Sequence, residues 1–393
     1  MSDGLLYIII LFTLAVGFLL GRHRKEEKLP DIDSLDKNYF EGLNYLLNEQ
    51  PDKAIDTFIQ ALEVNSDTLE THLALGRLLR KRGEVDRAVR IHQNLLAHPS
   101  LNSQQMQQAQ YELAIDYVKS GLLDRAEELL KLLVKTDGPY KQSGLKQLLE
   151  IYQDEKEWLL GLEVLQQLSG ARLSRDSEKW AAIRAHFSCE LAEEALEKDD
   201  FVVARQHLKQ ALAADKQSVR SSILLGRIEI HTGDTVNGIS RLQKVINSRH
   251  DYIVEVLPYI LSSYRKVNKQ KECLEYLLSL NEKTHHPDVM ISAADLIEVE
   301  KGALSAAEFV AAEVVRSPTS LGLQKLLDYY SSFSEGKTRE HLASLKHVMN
   351  KVLVSQPLYQ CYHCGFKANN LFWLCPSCKS WDSLKLKKGA IDE

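Results

Sequence analysis

Residues 39–67 read YFEGLNYLLNEQPDKAIDTFIQALEVNSD, and residues 73–99 read LALGRLLRKRGEVDRAVRIHQNLLAHP. Laid 34 residues apart, Gly76 falls on Gly42 and Ala88 on Ala54, while Leu79, His92 and Leu95 take the places of Tyr45, Phe58 and Ala61. About this many residues make two antiparallel helices and a tight turn. A small residue is required where two helices cross closely. Ala54 and Ala88 supply it, and Tyr45 and Phe58 fill the space beside it.

Working outward, the pattern recurs with drift. Tyr117, Gly121, Ala126 and Leu130 form a third unit, after a short insertion near residues 100–105. Tyr152, Gly161 and Leu165 mark a fourth. Ala192, Ala204, Leu208 and Ala211 mark a fifth, behind an enlarged link over residues 168–179. Gly226, Gly233, Gly238 and Leu242 mark a sixth; Tyr264, Cys273 and Leu277 a seventh; Gly302, Ala307 and Ala311 an eighth; and residues 317–356 predict a last helical pair. Cys273 stands on the small-residue position, so its expected role is packing. Cys189 has no ligand neighbour at useful spacing and is read the same way.

These units resemble tetratricopeptide repeats, the first two most closely. The resemblance implies an all-α superhelical solenoid. Stacked pairs are stabilised mainly by neighbour interfaces and present an extended concave surface suited to protein segments. The composition agrees: 44% of residues are hydrophobic and 26% charged, with only 19 glycines and 9 prolines in 393 residues. Unbranched side chains of this kind lose little freedom in a helix. A net charge of −5 names no partner class. No long basic stripe points to nucleic acid.

Ahead of the repeats, Leu5–Leu20 is an uncharged run, LLYIIILFTLAVGFLL, followed at once by Arg22, Arg24, Lys25 and Lys28. With Gly4 and Gly21 it reaches the roughly 17–25 residues that span a bilayer as a helix. The basic flank predicts a short N-terminus outside and the bulk of the chain in the cytoplasm. A cleaved signal peptide would carry its basic residues before the apolar run.

The other end reads YQCYHCGFKANNLFWLCPSCKSWDSLK, residues 359–385. Cys361, Cys364, Cys375 and Cys378 are the expected ligands of one metal ion, because two C-x2-C pairs can bring four thiolates to tetrahedral geometry. Gly365 permits a tight turn that aims amides at sulfur, and Pro376 fixes its counterpart. Tyr362, Phe366, Phe372, Trp373 and Trp381 are expected to cover a centre too small for a core of its own. His363 is expected to face solvent. Thiolates alone do not choose zinc from iron, and zinc is favoured on cellular grounds.

This segment resembles rubredoxin-like domains and zinc ribbons. Its loop between the cysteine pairs is shorter than in an electron-transfer rubredoxin. The order of parts divides the chain into an anchor (1–21), a basic linker (22–35), about eight or nine repeat units (36–356) and a metal-binding domain (357–388). The whole resembles the lipopolysaccharide assembly protein B family of Gram-negative bacteria.

That resemblance implies an inner-membrane adaptor linking the membrane-bound FtsH protease to the lipid A-committing deacetylase and promoting its degradation. Two other readings stay open at this point. One is a general membrane scaffold for lipopolysaccharide synthesis and export proteins; the other is a rubredoxin-type electron carrier. Oligomeric state stays open too, a homo-oligomer included. No GxxxxGK[ST], HExxH or GxSxG motif occurs, so neither a catalytic nor an organic-cofactor site is expected. His285–His286 and Asp199–Asp200 read as turns or caps.

Overall fold

The structure is a computed structural model. It describes residues 68–99, 101–169, 177–352 and 357–386, with isolated positions between 41 and 57. The predicted anchor, the basic linker and nearly all of the first repeat lie outside the described residues. Among the described residues no helix is long and apolar enough to cross a membrane.

The described chain is an all-helical tetratricopeptide solenoid with a C-terminal four-cysteine knuckle. Its helices pair as α1 (Leu69–Lys81) with α2 (Val85–Leu96) and α3 (Ser103–Lys119) with α4 (Leu123–Lys135); α5 (Lys141–Asp154) and α6 (Trp158–Ser169) follow in the chain. Then follow α7 (Ser177–Glu197) with α8 (Phe201–Ala214), α9 (Val219–His231) with α10 (Thr235–Ser248), and α11 (Ile253–Lys266) with α12 (Gln270–Thr284). Two more pairs complete the series: α13 (Pro287–Lys301) with α14 (Ala303–Arg316), and α15 (Ser320–Phe333) with α16 (Gly336–Val352). The chain divides into two compact units, residues 1–151 and 152–393.

The small-residue rule fixes the crossings. Ala88, Ala126 and Ala204 are wholly buried, and Cys273 and Ala307 nearly so. Gly76 is tighter still: a Cβ there would stand 2.3 Å from the His92 ring nitrogen Nε2. In the α9–α10 pair, a Cβ on Gly238 would lie 2.8 Å from the Gly226 carbonyl oxygen. Alanine at either place would force the helices apart.

The turn inside each pair takes a left-handed residue. Gly83, Gly121 and Gly233 serve at φ 85°, 75° and 93°, but Lys156, Asp199 and Asn268 occupy the same place at φ 60°, 57° and 55°. The acidic and histidine doublets are turn and cap residues, as expected. Asp200 accepts the Val203 N–H at 3.0 Å, and His286 caps α13 after left-handed His285.

Within unit one, α1, α2 and α3 share a buried polar network. Arg80 donates to Asp116 Oδ1 and to Glu112 Oε2, each at 2.6 Å. Arg77 donates to Glu112 Oε1 at 2.9 Å. His92 Nδ1 meets the other Asp116 oxygen, and both side chains are fully buried. The Asp116 carboxylate is thus neutralised where water cannot reach it.

Candidate metal centre and its seat on the repeats

The knuckle is a small three-stranded antiparallel sheet, with β1 (Tyr359–Cys361) between β2 (Lys367–Ala368) and β3 (Leu384–Leu386). Tyr359 pairs with Ala368 on one side and Leu386 on the other. Each C-x2-C turn then bends back on itself. Gly365, at φ 79°, donates its N–H to the Cys361 carbonyl at 2.9 Å. In the second turn Lys379 does the same to Cys375 at 2.9 Å, and it adopts φ 55° without being glycine.

These turns bring the four sulfurs of Cys361, Cys364, Cys375 and Cys378 within 4.8 Å of one another. Cys361–Cys378 and Cys364–Cys375 each stand 3.7 Å apart. Sulfurs at ~2.3 Å from a tetrahedral zinc would be about 3.8 Å apart, so the thiol set fits one ion. Cys361 and Cys375 are buried, while Cys364 is exposed. The Ser380 hydroxyl holds the Cys378 thiol down to about 5. For Cys361 burial works upward, yet the Ser383 hydroxyl and the amides of Cys364 and His363 prevail and lower it. Burial pushes Cys375 up to about 11. The shifts at Cys361 and Cys378 favour the thiolate forms that a metal requires. His363 is exposed, its Nδ1 3.4 Å from the Ser380 hydroxyl.

The other two cysteines are structural. Cys189 is fully buried with its sulfur 3.1 Å from the Ser221 hydroxyl. Burial raises the thiols of both Cys189 and Cys273 to about 11.

The tryptophans depart from expectation. Phe366 does pack inside the knuckle, but Tyr362 is 72% exposed. Trp373 and Trp381 turn away from the cysteines and onto the repeats of unit two. Trp381 stacks on His186 with centroids 4.6 Å apart at 14° and meets Trp158 edge-on. Its indole N–H donates to Gln153 Oε1 at 2.7 Å. Trp373 stacks on Tyr252, 5.6 Å apart at 14°.

Near both indoles stands Arg220, 3% exposed. Its guanidinium lies 5.7 Å from the Trp373 ring and 6.0 Å from Trp381. Glu190 and Glu193 balance its charge at 2.8 and 2.7 Å. A buried cation beside aromatic rings is attracted more strongly than an exposed one.

Polar contacts ring this core. Lys379 pairs with Asp154 at 3.0 Å. Tyr359 donates to Glu255 Oε1 at 2.8 Å, and Lys385 donates to the Tyr252 hydroxyl at 3.3 Å. Asp382 lies 3.4 Å from His186 Nε2. Burial works against its charge, yet the His186 ring and the cations Lys385 and Arg249 keep its carboxyl below the usual range. Most receiving residues sit on the first helix of successive pairs: Gln153 and Asp154 on α5, His186 on α7, Arg220 on α9, Glu255 on α11. This row forms a wall of unit two. Here the chain's own knuckle occupies it.

Residues 359–385 match the family described as rubredoxin metal binding domain, and residues 71–104 match the tetratricopeptide repeat family. Lipopolysaccharide assembly protein B of Escherichia coli strain K12 is 36% identical over 388 residues, covering 98% of both chains. The protein of that name from Haemophilus influenzae is 31% identical over 392 residues, covering 97% of both. A solved tetratricopeptide repeat protein from Parabacteroides merdae aligns with 72% of this chain and 100% of its own, at 12% identity and a TM-score of 0.33.

Proposed function

Because the chain belongs to the lipopolysaccharide assembly protein B family, we propose that it is a membrane-held adaptor that regulates lipopolysaccharide assembly. It is a non-enzymatic repeat scaffold, so its work is recognition. In this reading residues 1–21 anchor the chain in the inner membrane with a short periplasmic N-terminus, and residues 22–35 form a basic cytoplasmic linker. Residues 36–356 are the recognition solenoid, and residues 357–388 are the metal domain. The adaptor joins the membrane-bound FtsH protease to the lipid A-committing deacetylase and so promotes that enzyme's degradation. Confinement to one membrane raises the partners' effective concentration without strengthening any single contact.

The observation that carries this reading is the seat of the knuckle on the repeats. Cys361, Cys364, Cys375 and Cys378 hold one ion, zinc ahead of iron, and the ion's contribution is to fix the fold of a segment with little core. The fixed knuckle delivers Trp373 and Trp381 to Arg220, His186 and Tyr252. The wall is then finished as a rigid surface, and partners dock on what remains exposed.

The test is a pull-down from membranes with the protein intact and with all four knuckle cysteines changed to serine. Recovery of the protease and the deacetylase by the intact protein alone is expected. Equal recovery by both forms would remove the metal domain from the adaptor's mechanism, and absence of both partners would remove the adaptor. Metal analysis of the purified protein decides the ion: a reversible visible iron chromophore would replace zinc with iron.

A further inference from the structure

α16 closes the series of helical pairs, and none of its described side chains is buried. By contrast α14, the second helix of the preceding pair, buries Ala306, Ala307, Val310 and Val314. The terminal unit of a solenoid needs a polar outer face to stay soluble. This one lacks it. Leu345 and Val348 on α16 are 50% and 55% exposed. On α15 the large side chains Leu321, Leu323, Tyr330 and Phe333 are exposed as well. Exposed apolar side chains gathered in this way mark a surface that meets something other than water.

Charge says what that is. Lys337, His341, Leu345, Val348 and Lys351 recur at steps of three and four, so they share one helix face, and all five are exposed. The stripe is apolar in its middle and cationic at both ends. With its histidines neutral, α16 carries four cations (Lys337, Arg339, Lys346 and Lys351) against one acid, Glu340, a net +3 in a chain of net charge −5. Asp328 pairs with Lys346. Among the described residues no carboxylate pairs with Lys337, Arg339 or Lys351. A two-fold contact between copies would set this face against itself and bring its unpaired cations together. An anionic bilayer answers both features. Helices of this kind lie in the interface with their apolar side chains at the acyl boundary, while lysine stems reach back to the headgroups. Aromatic side chains such as Tyr330 suit the same depth.

We propose that the exposed face of α16 rests on an anionic phospholipid surface. Leu345 and Val348 enter the headgroup region, and Lys337 and Lys351 pair with lipid phosphates. The contact goes beyond the adaptor reading and is distinct from the anchor of residues 1–21 on which that reading rests. Neither the knuckle metal nor any protein partner enters it.

Photocrosslinking of the full-length protein, carrying p-benzoyl-phenylalanine in place of Val348, tests it. The protein is mixed with vesicles of phosphatidylcholine alone or of phosphatidylcholine and phosphatidylglycerol in equal parts, and lipid attached at position 348 is read by mass spectrometry. Labelling should be at least about tenfold greater in the anionic vesicles, in line with two lysines near a charged surface. Lys337→Gln together with Lys351→Gln should abolish that difference, and high salt should weaken it. The same probe in place of Leu132, exposed on α4 of unit one, should take up no lipid. Carbonate extraction of the same vesicles reads the anchor separately. Lysine-dependent labelling at 348 supports the proposal whether or not the chain resists extraction. Absence of labelling in a chain that resists extraction overturns it and leaves the anchor standing. Equal labelling in neutral vesicles, equal labelling at Leu132, or a covalent dimer through position 348 would each overturn it as well, the last by assigning the face to a second copy.

Discussion

Arg80 and Arg220 solve one problem in two ways. Each lies on the first helix of a repeat and reaches carboxylates on the first helix of a neighbouring repeat. In unit one Arg80 spends its donors on Asp116 and Glu112, and His92 closes the second Asp116 oxygen. The repeats there satisfy their own buried charge. In unit two Arg220 meets Glu190 and Glu193, but it also lies 5.7 and 6.0 Å from the rings of Trp373 and Trp381 of the knuckle. The first arrangement is closed within the solenoid. The second is completed by a segment that is about 150 residues away in the chain and has too little core to fold securely without a metal.

Metal removal should separate the two most sharply. Structural zinc sites supply apparent free energies of about 10 kcal/mol or more at neutral pH. A chelator, or the pair Cys361→Ser and Cys375→Ser, should therefore unfold the knuckle and destabilise unit two. The calorimetric transition of unit two should move while that of unit one stays. A uniform shift of both would break the comparison.

Next in size is Asp116→Asn. It leaves Arg80 short of a charge partner in a site without water, at a cost of about 3–5 kcal/mol. The effect should fall on unit one, read as lost amide protection in α1 and α3, and should be the same with or without metal.

Arg220→Met should cost about 3 kcal/mol, because Glu190 and Glu193 stay partly hydrated and lose less. Trp381→Ala should cost a similar amount through lost packing. The two losses should not add in the double variant, since each substitution already removes the shared contact. Strict additivity would mean the indole and guanidinium act independently.

The smallest effect is that of acid. Asp382 has its carboxyl lowered in the folded protein, so its contribution to docking is present above the ordinary carboxylate range, about pH 4. It is lost as pH falls through the lower folded value. Tryptophan fluorescence should report an acid step below pH ~4 that Asp382→Asn removes. An unchanged step in that variant would assign it to another group.

The sequence made part of this legible. A 34-residue period and buried alanines fixed the helix pairs, and two C-x2-C pairs fixed the thiol set. The later repeats were blurred because their turn tolerates other residues. Lys156, Asp199 and Asn268 hold left-handed backbone that Gly83 and Gly121 hold elsewhere, so the glycine marker vanishes while the geometry remains. The seat of the knuckle left no periodic trace. Trp373 and Trp381 lie beside the cysteines in sequence and so read as local cover. Their partners Gln153, His186, Arg220 and Tyr252 are dispersed over four helical pairs, where each resembles an ordinary side chain.

Hydrogen exchange of the full-length protein, followed by mass spectrometry before and after metal removal, tests the central claim most directly. Amides of α7, α9 and α11 should lose protection when the ion is withdrawn, while those of α1 to α4 keep theirs. Unchanged exchange in α7 and α9, with the knuckle itself unfolded, would contradict the claim that the metal-held knuckle completes the wall of unit two.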